Sequence, residues 1–177
     1  MDIKNLKTGD IIFFGVDEKF PSNAQEIFQQ IVRKVDGEFS HVEMVYSIKG
    51  DVMKCLGSQS TGAKFRKIKQ QPNFRYGRIL NNKTQEEMQK IMVEYYKNIK
   101  NYKYDWLGWL DSGINAVLKK INKNYNKKPL FKRKSDPKIC SELVSELENL
   151  FQEKIILGES VTTPNDLWKF KKILRMF

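Results

Sequence analysis

The sequence has few of the residues that structural metal sites and disulfide frameworks need. Two cysteines, Cys55 and Cys140, and a single histidine, His41, occur among its 177 residues. Two cysteines do not make a disulfide framework, and a structural zinc site takes four Cys or His ligands. We therefore expect no metal and no cofactor, and each thiol is left for nucleophilic chemistry or for burial in a core.

Long apolar runs are also missing. No stretch approaches the roughly 20 residues that span a bilayer, and the first residues lack the basic-then-apolar pattern of a signal peptide. We therefore expect a cytoplasmic protein. Hydrophobic residues make up 40% of the chain, which is enough for the core of one compact domain over residues 1–177.

Positive charge is in excess, with a formal net charge of +11. Much of it lies in a basic loop at about residues 119–138, which contains Lys119, Lys120, Lys123, Lys127, Lys128, Lys132, Arg133, Lys134 and Lys138. Such a block attracts phosphate-rich partners such as an anionic membrane surface, although a solvated loop is the plainer interpretation. Nucleic acid is not the expected partner, because no recognisable nucleic-acid module accompanies the block. No oligomeric state follows from the sequence.

Turn signals and hydrophobic periodicity predict a small antiparallel sheet with helices before and after it, which is an α+β domain. The predicted strands cover residues 11–14, 39–48, 52–56, 63–68 and about 76–80. The predicted helices cover residues 22–35, 84–100, 104–120, 138–151 and 164–168. We expect the third of these helices to be broken at Gly108 and Gly113.

Cys140 is the first candidate for chemistry. It follows Pro137, which is typical of the first turn of a helix. Unpaired backbone amides and the helix dipole favour negative charge there, so a thiolate would be stabilised. The alternative is a small buried residue on the core face of the helix.

His41 and Glu43 are the next candidates for chemistry. Side chains alternate along a strand, so these two share one face, with Cα atoms about 6.6 Å apart, while Val42 and Met44 point to the other face. A carboxylate beside an imidazole orients it and raises its basicity, as the third member of a catalytic triad does. The alternative is a surface strand that carries two polar residues by chance.

The hairpin after this strand adds two further candidates. If Lys49 and Gly50 form a two-residue turn, Ser58 lies opposite His41, whereas a three-residue loop places Gln59 there. Either side chain could hold the imidazole by a hydrogen bond, as an alternative to Glu43.

The same pairing decides the surroundings of Cys55. It lies opposite Met44 on the core face in the first register and opposite Val45 on the His41 face in the second. We favour the first register, and therefore a structural role for Cys55.

An aromatic cluster that includes Tyr104 and Trp106 is interpreted as core or as the wall of a ligand site. Together with Ser58, Gln59 and Ser141, these two aromatic residues are the candidate substrate-binding residues.

Four segments, taken in order, resemble the circularly permuted NlpC-like hydrolases of papain fold, in particular the YiiX-type branch with bacterial, phage and poxvirus members. They are Leu6-Lys7-Thr8-Gly9-Asp10-Ile11-Ile12, Phe39-Ser40-His41-Val42-Glu43-Met44-Val45, Cys140-Ser141-Glu142-Leu143-Val144 and Thr163-Pro164-Asn165-Asp166-Leu167. A further segment, Tyr104-Asp105-Trp106-Leu107-Gly108, resembles one that lies between the histidine and cysteine motifs in phage members. In such proteins the histidine precedes the cysteine, the reverse of the order in ordinary papain-like enzymes.

The resemblance implies that Cys140 is the nucleophile and His41 the general base and later acid. Members take a polar third residue, often from the strand after the histidine strand, but residues 53–57 contain no carboxylate. Glu43 is the first choice because it matches a His-x-Glu variant of the motif, and Ser58 and Gln59 are the reserves.

The expected function is that of a cysteine hydrolase, an amidase or peptidase that forms an acyl-enzyme on a small peptide or amide link. One alternative is a thiol-dependent acyltransferase or lipid hydrolase at membranes, whose substrate would carry an acyl group. Another is an inactive binding protein of the same fold.

Overall fold

A six-stranded antiparallel sheet is the centre of the molecule. The computed structural model describes residues 3–15, 37–59, 61–102, 105–126, 130, 140–152, 163–170 and 173–176. The strands are β1 (Ile11–Gly15), β2 (Phe39–Lys49), β3 (Val52–Gln59), β4 (Gly62–Lys69), β5 (Phe74–Ile79) and β6 (Ile173–Met176). The helices are α1 (Gln85–Ile99), α2 (Trp106–Ile121), α3 (Cys140–Phe151) and α4 (Pro164–Lys169). The strand order is β4-β3-β2-β1-β5-β6, so β2 is internal.

Apolar side chains cover both faces of the sheet. Val42 and Met44 of β2 join the larger cluster, to which α1, α3 and α4 contribute. Val45, on the opposite face, joins a smaller cluster with residues of the N-terminal segment and of β1, β3 and β5. The α+β class with an antiparallel sheet is thus confirmed, and the face that carries His41 and Glu43 is covered as well.

Two helix starts follow directly from local sequence. Thr84 and Glu87 form a reciprocal capping box at the start of α1, and Thr163 and Asp166 form another at the start of α4, where Pro164 follows. Each box satisfies backbone amides that the first turn leaves unpaired. Both helices therefore begin where the sequence predicts.

The Gly-Asp turn before β1 is closed by an ion pair. Arg78 of β5 donates from Nε to Oδ1 of Asp10 at 2.6 Å and from Nη2 to Oδ2 at 2.7 Å. The backbone N–H of Lys7 donates to the same Oδ2. Both oxygens of this buried carboxylate are thus used to tie the turn to the sheet.

Next to the turn the β2–β3 pairing follows neither register considered above, but from Val45 to Met44 it follows the second one, that of the three-residue loop. Lys49 pairs with Val52 across the turn Gly50-Asp51, and a bulge at Tyr46 shifts the pairing by one residue. Gly50 takes a positive φ of 62°, which a glycine adopts without steric cost. The predicted two-residue turn at Lys49-Gly50 is therefore wrong, because the turn lies one residue later. The bulge is a separate feature, and the residues of a turn give no sign of it.

Cys55 consequently lies opposite Val45 and not opposite Met44. The favoured register is therefore wrong at this position, and the thiol is on the His41 face. Its side chain is nevertheless fully buried, in the smaller apolar cluster.

Two further elements differ from expectation. Helix α2 runs without interruption through Gly108 and Gly113, because a glycine costs a helix about 1 kcal/mol but keeps its backbone N–H. Strand β6, which pairs with β5 at the sheet edge, was not predicted, since four residues carry too little alternation to identify a strand. The predicted helix at residues 22–35 lies outside the described residues. None of the helices in the described ranges has both the length and the apolar character to cross a bilayer.

Candidate active site

His41 lies between a carboxylate and a thiol. Its Nε2 is 2.8 Å from Oε1 of Glu43, and the Cys140 thiol is within hydrogen-bonding reach of the same imidazole. Because Nε2 is used by Glu43, Nδ1 is the ring nitrogen left for the sulfur. The expected contact between His41 and Glu43 is confirmed, and Cys140 joins them across 99 positions of sequence.

The backbone that carries His41 is held from two sides. On β1, Phe14 pairs with His41. On α4, Asn165 accepts a hydrogen bond from the Phe39 N–H at 3.1 Å and donates one to the Phe39 carbonyl at 2.8 Å. The Thr-Pro-Asn-Asp-Leu segment therefore fixes the start of β2, two residues before the histidine.

Cys140 is the first described residue of α3, and the helix lies against the sheet. Its neighbours Leu143, Val144 and Leu147 are fully buried and belong to the larger cluster. The thiol is 4% exposed, while the imidazole side chain is 22% exposed. The packing of α3 therefore sets the position of the sulfur, and the imidazole is open to solvent on one side.

The Glu43 carboxylate is fully buried and uses one oxygen for three donors. Besides His41, Nε of Arg66 donates to Oε1 at 2.7 Å and Nε2 of Gln59 donates to it at 3.2 Å. The other oxygen, Oε2, has no hydrogen-bond partner. The carboxylate is therefore held from β3 and β4 while it faces the imidazole.

Gly57 makes room for this carboxylate. A Cβ atom at Gly57 would lie 2.4 Å from Cγ of Glu43 and 2.6 Å from its Cδ, which is closer than real Cβ atoms approach. Any larger residue there would displace the carboxyl group from His41.

The charges of the site shift two pKa values in opposite directions. Burial lowers the pKa of His41, but the Cys140 sulfur and the Glu43 carboxylate raise it by more, to about 9. Burial raises the pKa of Glu43, but His41, Arg66 and Gln59 together hold it below its usual range. The pair is thus a carboxylate with a protonated imidazole at neutral pH.

The ring of Phe14 packs against both cations of the site, the His41 imidazolium and the Arg66 guanidinium. Its ring centroid is 5.1 Å from that of His41, and the Arg66 guanidinium carbon lies 5.2 Å from the same ring. Cations are attracted to the face of an aromatic ring. Phe14 thus adds a favourable contact for the protonated imidazole as well as for Arg66.

The other predicted site residues are placed differently. Gln59 contacts Glu43 and not the imidazole, whereas Ser58 is buried beside Ala63, its partner on β4. Ser141 is fully buried next to Cys140, and its substrate-binding role stays a prediction. Tyr104 lies outside the described residues, as does the side chain of Trp106 at the start of α2.

Arg66 and Gly57 are the site residues that the sequence did not reveal. Arg66 reaches Glu43 because its strand neighbour Cys55 lies on the His41 face, and the favoured register excluded that. A glycine inside a strand often marks a close approach of another group, but the predicted strand ended at residue 56, and only the structure extends β3 over Gly57.

Within the described ranges, no three His, Cys, Asp or Glu side chains are grouped so that they could hold a metal ion. Of the nine basic residues in the predicted loop, the structure describes Lys119, Lys120 and Lys123, and the first two belong to the last turn of α2.

Neither the comparison with protein-family models nor that with curated proteins finds a match for this chain.

Proposed function

We propose that the chain is a cysteine hydrolase that acts by acyl transfer on a peptide or amide link. The observation that carries the proposal is the imidazole of His41, held between the Cys140 thiol and a buried carboxylate. A protonated imidazole beside a sulfur favours the thiolate, which is the nucleophilic form. The fold proposed for it is the permuted papain-like one, with the histidine strand before the cysteine helix.

In the proposed reaction Cys140 forms and breaks the covalent bond to the substrate, and His41 donates and accepts the protons. The Cys140 thiolate attacks the carbonyl carbon, and the backbone amide at the start of α3 stabilises the oxyanion. The tetrahedral adduct expels the amine, which takes the proton from the His41 imidazolium. The neutral imidazole then accepts a proton from water as the water attacks the thioester, and the thiolate leaves with release of the acid.

Glu43 acts through His41 in this scheme. Its carboxylate fixes the ring so that Nδ1 faces the sulfur, and it stabilises the imidazolium. Arg66 and Gln59 donate to the same carboxylate oxygen, Oε1, and so hold it beside the imidazole. Glu43 is therefore a positioning residue, and it needs no contact with the substrate.

The test measures hydrolysis of a panel of small peptide amides and acyl esters, together with acylation by p-nitrophenyl acetate followed by mass spectrometry. We expect an acetyl group on Cys140 and a loss of turnover of at least about 10³-fold in Cys140→Ala and in His41→Ala. Cys55→Ala is the matched control and should change turnover by less than about threefold.

Turnover that survives in both Cys140→Ala and His41→Ala would overturn the proposal. Turnover of long-chain esters alone would favour the lipid hydrolase, and a protein that neither turns over the panel nor acetylates Cys140 would be the binding protein of the same fold.

A further inference from the structure

Helix α2 turns polar side chains inwards. Asp111 and Asn115 are both fully buried, and the Asn115 amide donates to the backbone carbonyl and to Oδ1 of Asp111 at 2.9 and 2.8 Å. The backbone N–H of Leu130 lies 3.0 Å from each carboxylate oxygen of Asp111. Asp111 and Asn115 thus place hydrogen-bonded polar groups on the inward side of this helix.

The apolar side chains of α2 occupy a separate stripe. Leu107, Leu110 and Ile121 are 49%, 37% and 79% exposed, and Ile114 and Leu118 between them are only partly buried. At 3.6 residues per turn these positions fall within an arc of about 100°. A helix of a globular domain normally turns such a stripe to the core, whereas this one faces outwards.

The accessible charge of this helix is positive. Lys119 and Lys120 in the last turn and Lys123 just after it are exposed, and Asp111, the single acidic residue between positions 106 and 126, is buried. The hydrogen bond from the Leu130 N–H to Asp111 places Leu130 beside α2. An outward apolar stripe with a basic end is the pattern of a helix that lies in the interface of an anionic membrane.

We propose that α2 is a docking element for an anionic phospholipid surface. The leucines and Ile121 enter the boundary between headgroups and acyl chains, and the lysines contact the phosphates. A second copy of the chain fits this surface less well, because its α2 offers no accessible carboxylate to the lysines and each copy carries a net charge of +11. The proposal does not depend on the chemistry of Cys140.

Flotation with vesicles of phosphatidylcholine, with and without phosphatidylserine, tests the proposal on the full chain. Phosphatidylserine should raise the bound fraction at least about tenfold at low salt, and added salt should reverse the gain. Leu107→Glu with Ile121→Glu should lower binding about tenfold or more. The matched control is Leu80→Glu with Leu174→Glu, at apolar side chains 72% and 53% exposed elsewhere, and it should stay within about twofold of the wild type.

A second pair of variants separates the effect of where the lysines lie from the effect of the total charge. Each variant removes three exposed lysines and leaves the apolar stripe intact. Binding should fall about tenfold or more when the lysines of α2 and its end are replaced by alanine, and much less when three distant lysines are replaced. The first set is Lys119, Lys120 and Lys123, and the second is Lys49, Lys67 and Lys90.

The proposal would be overturned by equal loss of binding in both lysine sets, by equal binding to neutral vesicles, or by binding that the α2 variants leave unaffected. Concentration-dependent dimerisation that Leu107→Glu with Ile121→Glu abolishes would identify a protein interface instead, and would overturn it as well. Cys140→Ala should bind vesicles as the wild type does, so failure of the hydrolase proposal and failure of this one are distinguishable.

Discussion

Cys55 and Cys140 are both buried in this fold, yet the neighbouring group differs in the sign of its charge. Cys55 lies near Glu43, and burial together with that carboxylate raises the pKa of its thiol far above the usual range. Cys140 lies against His41, whose imidazole is protonated at neutral pH because its pKa is raised to about 9. Their exposed fractions are nearly equal, at 0% for Cys55 and 4% for Cys140, so the two thiols differ in the charge of the neighbouring group and not in burial.

Glu43 links the two thiols. Its negative charge disfavours a thiolate at Cys55 and favours the imidazolium at His41. Arg66 offsets part of the effect of that charge on the pKa of Cys55. A single buried carboxylate thus raises the pKa of the Cys55 thiol and that of the His41 imidazole at the same time, which gives the comparison measurable consequences.

The largest expected difference is in alkylation rate. With iodoacetamide at pH 7, Cys140 of the folded protein should react at least about 10³-fold faster than Cys55, because only a thiolate is nucleophilic. Peptide mapping by mass spectrometry measures both rates in one sample. In denaturant the two rates should agree within a few-fold, and equal rates in the folded protein would contradict the comparison.

A smaller effect is expected when the imidazole is removed. His41→Gln should slow alkylation of Cys140 at pH 7 by about 10- to 100-fold, since the cation that favours the thiolate is lost. Cys55 should stay as protected as before, which shows in the same experiment that the variant is folded. An unchanged rate at Cys140 would mean that His41 does not activate the sulfur.

The smallest expected effect is on pH dependence. Hydrolysis should decline as the pH rises through about 9, because a deprotonated His41 cannot protonate the leaving amine. Alkylation of Cys140 needs no such proton and should not decline there. A carboxylate raises the pKa of a nearby imidazole, so Glu43→Gln should move the alkaline limb to lower pH by about one unit.

The control for this prediction is Glu94→Gln, at an exposed carboxylate that pairs with Lys97. It should leave the profile of kcat/KM against pH where it is. If the alkaline limb of the profile moves to higher pH in Glu43→Gln, the carboxylate does not stabilise the imidazolium.

Short-range features could be predicted because they depend on few residues. The capping boxes at Thr84 and Thr163 join residues three apart, and the approach of Glu43 to His41 follows from the alternation of side chains along one strand. The α+β class follows from the same local patterns. Such interactions need no knowledge of what packs around them.

Long-range features could not be predicted because packing decides between local alternatives of similar energy. The bulge at Tyr46 moves Cys55 to the other face of the sheet, and with it the strand neighbour Arg66 comes to Glu43. One inserted residue leaves no signal in the turn that follows. The site therefore gained Arg66 and Gly57 only from the register.

The pair of Cys140 and His41 combines both kinds of information. By itself the sequence predicted Cys140 and His41 as the candidates for thiol chemistry, and a helix over residues 104–120. The tertiary structure alone decided that the thiol meets the imidazole and that the stripe faces outwards, because periodicity defines a face of an element but not what that face contacts. The thiol meets the imidazole because α3 packs on the sheet, and the stripe faces outwards because Asp111 is hydrogen-bonded on the inward side of α2.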